Sequence, residues 1–193
     1  MNFPELTTNE VFAKIPKGSP EAQAEFIWSA SLLYQGNTEI TQKPLIGNGH
    51  PDVLVRFYDS MGDKYTWMYI EFKRYEKQFN ESIAQLLMYL GNNFYDTSLE
   101  GIDNFSGVIS ASGEHFCLIP RKNILGIMEK FEYIWRKHFR VPPHDAYKVE
   151  EIKQFVLDNL RELTDGCLYI RRSKTNIRLD EIIKGIYEAW NLQ

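Results

Sequence analysis

The sequence predicts an α/β protein with a mixed central sheet flanked by helices. Three observations carry this. Runs rich in β-branched and aromatic residues alternate with segments whose apolar residues recur at helical spacing. These segments follow the order α-β-β-β-α-β-β-α, and a further helix, strand and helix come after them. Hydrophobic residues make up 44% of the 193-residue chain, enough side chains for one core.

Taken in order, Thr7-x-x-Glu10 is a capping-box pattern that opens a short helix through about Lys14. Ser19 and Pro20 suit the N-cap and first turn of a second helix, which runs to about Gln35 and stops at Gly36-Asn37. Its apolar residues Phe26, Ile27, Ala30 and Leu33 fall at helical spacing. Polar residues 38–43 make an exposed strand. Stronger strands follow at 52–57 and 65–73, across the turn Asp59-Ser-Met-Gly62. From Glu76 to about Phe94 the period becomes helical, with Phe79, Ile83, Leu86 and Leu90 on the face turned to the core. Strands at 105–110 and 115–119 flank the turn at Ser112-Gly-Glu114, and a helix covers about 122–139. Residues 141–145, with two consecutive prolines, form the expected linker. Helix, strand and helix are then expected at 149–163, 167–171 and 179–190. The division is a core with its N-terminal helix over 1–140 and a small C-terminal α/β extension packed on it over 141–193.

The formal charge is 22 − 26 = −4, which excludes a surface that is basic throughout, so any anion-binding region must be local. Cys117 and Cys167 stand fifty positions apart with no CxxC pair, as free thiols in a reducing compartment would. The first residues carry no leader-like pattern, and no run approaches the roughly 18 apolar residues of a membrane span. An intracellular protein of cytoplasm or nucleus is expected, with no membrane partner.

The chemistry concentrates at the end of the third strand. Successive strand side chains point to opposite faces, so Glu71 and Lys73 project together while Ile70 and Phe72 project the other way. A hairpin with the preceding strand brings Asp52 within reach of Glu71. Two carboxylates and a lysine on one face suit phosphodiester hydrolysis: Mg²⁺ takes oxygen ligands, and Asp52, Glu71 and the carbonyl of Phe72 can supply them. The ion lowers the pKa of water and neutralises charge on the phosphorane, and Lys73 positions the nucleophile or stabilises that charge.

Pro51-Asp52, followed nineteen residues on by Glu71-Phe72-Lys73, resembles the PD-(D/E)xK nuclease superfamily over roughly residues 19–120. The resemblance implies a restriction-endonuclease-like αβββαβ core and Mg²⁺-dependent cleavage, with Mn²⁺ able to substitute. The implied substrate is nucleic acid, DNA rather than RNA, cut as endonuclease or exonuclease. With one site per chain, double-strand cleavage fits a homodimer. The segment Glu21-Ala-Gln-Ala-Glu25 is similar to the first helix of archaeal Holliday-junction resolvases and implies Glu25 as a further catalytic and metal-binding acid. Glu21, four residues away on the same face, is the alternative. Gln85-Leu-Leu-Met-Tyr89 resembles the Gln-x-x-x-Tyr motif of RecB-like members. With Gln78 and Ser82 it forms a polar stripe that implies contacts from Gln85 and Tyr89 to the phosphate backbone or the metal site. Arg74 and Lys77 add positive charge beside it. Two further basic stretches, Arg136-Lys-His-Phe-Arg140 and Arg171-Arg-Ser-Lys174, are candidate phosphate clamps. The alternative function is a catalytically silent nuclease-fold module that binds or regulates.

Overall fold

The computed structural model describes residues 6–59, 61–97 and 100–191. Ser60, inside the turn expected after the second strand, lies outside them. Helix α1 (Thr8–Lys14) starts at the expected capping box, in which the Thr7 side chain accepts from the Glu10 N–H and the Glu10 carboxylate accepts from the Thr7 N–H. Next come α2 (Glu21–Tyr34) and the hairpin-linked strands β1 (Thr38–Gln42), β2 (Val53–Tyr58) and β3 (Tyr65–Phe72). Helix α3 (Phe79–Asn92) crosses over to β4 (Phe105–Ala111), followed by β5 (His115–Pro120) and α4 (Arg121–His138). The remainder is α5 (Glu150–Thr164), β6 (Leu168–Arg171) and α6 (Leu179–Asn191).

The six strands form one mixed sheet in sequence order. Neighbours are antiparallel except β3 and β4, a parallel pair whose connection contains α3. Alternation along the strands divides the core in two. Leu54, Trp67, Tyr69, Val108 and Ile119 face α3, α4 and α5. Val53, Val55, Ile70, Phe72 and Ile109 face α1, α2 and α6. Because helices cover both faces, β4 is buried along its whole length and β3 is buried beyond Tyr65, which explains their near-continuous apolar sequence.

Two elements differ from the sequence expectation. The residues of α2 turned inward are Ala24, Glu25, Trp28, Ser29, Ser31 and Leu32. Phe26, with 69% of its surface exposed, and Leu33 face outward. The helix is apolar on both sides, and the larger burial decides: Trp28 packs between Phe12 and Phe116 and its indole N–H donates to the Ser112 carbonyl at 3.1 Å. Residues 141–145 lead into a 3₁₀ turn, Pro143–Lys148, in which Pro143 and Ala146 are buried. Ala146 belongs to the α3-side core, and Pro143 lies so close to Gly49 that a Cβ there would sit 2.8 Å from its ring. Residues 150–191 complete both layers, since β6 pairs with β5, α5 joins the α3–α4 layer and α6 the opposite one. Among the described residues no helix is long and apolar enough to cross a membrane.

Candidate functional site

The β2–β3 register pairs Val53 with Ile70, which sets Asp52 opposite Glu71 at the end of the hairpin. Asp52 Oδ2 accepts the Phe72 backbone N–H at 2.8 Å. The Lys73 backbone N–H donates to the Ala111 carbonyl at 2.9 Å, carrying the β3–β4 pairing one residue past the strand. Lys73 Nζ donates to Glu71 Oε1 at 3.0 Å and to Gln85 Oε1 at 2.7 Å, with Glu81 Oε1 at 3.7 Å. Glu71 and Lys73 are each only 4% exposed. They are therefore not an ion pair on a solvated strand face. Glu71 Oε2 is buried and has no hydrogen-bond partner among the described residues, although the Asp52 backbone N–H acts to lower the pKa of the carboxylate; a buried oxygen left so costs free energy.

The electrostatics point the same way. Burial, followed by the charge of Asp52, pushes Glu71 up to about 8, although Lys73 pulls against both. Burial also raises Asp52, opposed by the Phe72 N–H, Lys73 and Lys43. Glu25, on α2, is raised by burial and then by Asp52. Burial works to lower Lys73, but Glu71 outweighs it and holds the ammonium protonated, with Glu21 and Glu81 adding to the effect. Both acids of the first-helix motif thus act on the site through their charge, Glu25 on Asp52 and Glu21 on Lys73, without a hydrogen bond or ion pair to either among the described residues. Carboxylates outnumber cations here, and a bound divalent ion would offset most of that excess. The donor set fits Mg²⁺, which commonly takes one or two carboxylates and completes its shell with waters and substrate oxygens. Among the described residues no group of three or more His, Cys, Asp or Glu side chains is arranged to hold a metal. Asp52, Glu71 and the Phe72 carbonyl are the groups that could hold such an ion, and Glu71 Oε2 has no hydrogen-bond partner among the described residues.

Helix α3 supports this centre from behind. Gln85, 3% exposed, holds Lys73 through Oε1 and donates through Nε2 to the His144 carbonyl at 3.4 Å. Tyr89 is also buried, and its hydroxyl donates to the His50 carbonyl at 2.8 Å, fixing the loop that delivers Pro51 and Asp52. Ser82 is bonded to Ser110. Ser82, Gln85 and Tyr89 are thus enclosed within the protein, and of the polar stripe only Gln78, in the 3₁₀ turn before α3, is half-buried. Arg74 and Lys77 are exposed, their cationic groups 5.3 and 5.1 Å from the Tyr75 ring centroid.

Glu81, Lys43 and the His144 carbonyl belong to the site and were not among the residues read from the sequence. Glu81 had a signal, since it precedes Gln85 by four on the same helix face. Lys43 lies beyond the end of β1, where no motif marks it. Compared with family models, with curated proteins and with solved structures, the chain matches none.

Proposed function

We propose that the protein is a metal-dependent nuclease of the PD-(D/E)xK type, hydrolysing phosphodiester bonds in nucleic acid, DNA before RNA, on a restriction-endonuclease-like core. One observation carries this reading: a buried Glu71, with one oxygen that has no partner among the described residues, and a half-buried Asp52 lie together against a buried lysine. Asp52, Glu71 and the carbonyl of Phe72 would hold Mg²⁺ or Mn²⁺, with Glu25 alongside. When bound, such an ion lowers the pKa of a water and neutralises negative charge on phosphorus-bound oxygens.

The chain's own groups have separate tasks. Lys73 is kept protonated by Glu71 and aimed by Gln85, so its remaining donor capacity can serve an attacking water or a developing oxyanion. Asp52 keeps its Oδ2 on the β3 backbone, which fixes the carboxylate relative to Glu71. Tyr89 anchors the loop before Asp52. Arg74 and Lys77 offer exposed positive charge to phosphates.

The test is incubation of the purified protein with supercoiled, linear and single-stranded DNA and with RNA, each in Mg²⁺, Mn²⁺ or EDTA. Cleavage that needs the metal and disappears in Lys73→Ala supports the reading. Binding without cleavage under every metal condition would overturn it in favour of a silent nuclease-fold module.

A further inference from the structure

Of the two basic stretches in the sequence, one is largely paired, with Arg140 alone of its arginines and lysines lacking an ion pair among the described residues. Arg136 pairs with Glu132, and Lys137 and His138 both reach Glu151. The other is not. At the end of the sheet where β3 delivers Lys73, two adjoining cavities of about 360 and 650 Å³ share Glu76, Glu114 and Arg171 in their walls. The smaller is lined by Lys17, Arg172, Ser173 and Lys174, and the larger by Tyr75, Lys77, Phe79 and Tyr169. Arg74 stands beside them over the Tyr75 ring.

The charges in this cleft are unevenly matched. Glu76 is engaged by Arg171 at 2.6 Å and by the Tyr169 hydroxyl at 2.9 Å, and Glu114 accepts the Glu76 backbone N–H at 2.9 Å. Arg172 donates to the carbonyls of Ile15 and Gly113, which holds the β6 turn against the α1–α2 connection. Lys17, Arg74, Lys77, Arg172 and Lys174 have no carboxylate within ion-pair distance among the described residues. Four such cations line one cleft, and Arg74 stands beside it, in a chain whose net charge is −4. The walls also present half-buried aromatic rings, Tyr75, Phe79 and Tyr169. Lysines and arginines without carboxylate partners, beside half-buried aromatics, suit unpaired nucleotides: cations for the phosphates, and rings on which a base can replace the Arg74, Lys77 or Arg171 group now lying over Tyr75 and Tyr169. A duplex, whose bases are already stacked, gains only the charge.

We propose that this cleft is a track for single-stranded nucleic acid, its sugar-phosphate backbone running from Lys73 past Lys77 to Lys17 and Lys174. The strand's path rests on the nucleolytic reading of the Asp52–Glu71–Lys73 site, whereas binding in the cleft depends on the cleft alone.

The experiment measures fluorescence anisotropy of a labelled oligo-dT strand, and of its duplex with oligo-dA, against the full chain in EDTA across a salt series. Lys17→Glu/Lys174→Glu is compared with Lys64→Glu/Lys122→Glu, which makes the same change in net charge on exposed lysines at the opposite end of the sheet. Melting curves check that both variants fold. The track predicts that the single strand binds wild type more tightly than the duplex does. It also predicts at least a tenfold loss in the Lys17/Lys174 variant, and a slope of log affinity against log salt shallower by about 1.4, roughly 0.7 for each lost contact to a single strand. The Lys64/Lys122 variant should lose much less. Equal losses in the two variants, an unchanged slope, or tighter duplex binding would overturn the proposal. Cleavage is assayed separately in Mg²⁺. Lys17/Lys174-dependent binding without cleavage leaves the track standing and removes the nuclease reading. Cleavage that needs Lys73, with binding indifferent to Lys17 and Lys174, does the reverse.

Discussion

Asp52 Oδ2 accepts the backbone N–H of Phe72 at 2.8 Å, so a candidate metal ligand also fastens the strand that carries its partner ligand Glu71. Structural and chemical roles therefore separate by substitution. Asp52→Asn keeps an acceptor for that N–H and removes a carboxylate that burial already disfavours; urea denaturation should find it as stable as wild type or more so. Asp52→Ala leaves the N–H unsatisfied and should cost about 1–3 kcal/mol. An equal loss in both variants would show that the hydrogen bond is not what Asp52 contributes to folding.

Lys73 and Gln85 make a second separable pair. Lys73→Ala should slow single-turnover cleavage by at least about a hundredfold, the scale of a lost transition-state donor, while divalent-ion affinity is retained. Lys73→Arg should not restore the rate, because a planar guanidinium cannot sit where a compact ammonium bridges Glu71 and Gln85. Gln85→Leu leaves Lys73 with Glu71 but removes its second anchor, and should produce a smaller loss, roughly tenfold. Gln85→Leu at wild-type rate would mean that Lys73 needs no aiming.

The elements were legible in the sequence because their periods are clean, and so was the face shared by Glu71 and Lys73, since strand alternation leaves no choice. Helix α2 was ambiguous for a physical reason: with apolar residues on both sides, period alone cannot say whether Trp28 or Phe26 turns inward, and contacts with β5 and α1 decide. The polar residues of α3 invited an outward reading because Gln and Tyr at helical spacing look alike whether they meet solvent or a buried ammonium. Only the β3–α3 packing shows Gln85 against Lys73. The crowding of charge around Asp52 depends on Lys43 and Glu25, which the fold brings in from β1 and α2.

That reassignment of α2 has a stability consequence. Trp28→Ala deletes a fully buried indole and should cost about 3–5 kcal/mol, whereas Phe26→Ser, on the exposed face, should stay within about 0.5 kcal/mol of wild type. Chemical denaturation of the two variants checks the orientation directly, and a larger loss for Phe26→Ser would reverse it.

His115 supplies a pH dependence opposite in sign to that of Glu71, whose raised pKa makes the fold gain stability as pH falls from about 8 toward 4.5. The histidine is fully buried, its two ring nitrogens lie 3.0 Å from Ser110 Oγ and Ser112 Oγ, and burial pulls it down to about 4 from an ordinary value near 6.5. Because the folded form resists protonation, this contribution to stability is complete above about pH 6.5 and is lost as pH falls through 4. Thermal melts from pH 7 to 4 should show a steeper decline in wild type than in His115→Gln. Parallel curves would place the acid sensitivity elsewhere.

The central claim, that Asp52 and Glu71 form a divalent-cation site, is tested most directly by calorimetric titration of Mn²⁺ into wild type, Asp52→Ala, Glu71→Ala and Lys73→Ala, each shown to be folded. The site predicts saturable binding in wild type and Lys73→Ala and none in the two carboxylate variants, because waters replace a first-shell anionic ligand poorly. Wild-type affinity retained in both Asp52→Ala and Glu71→Ala would contradict the account.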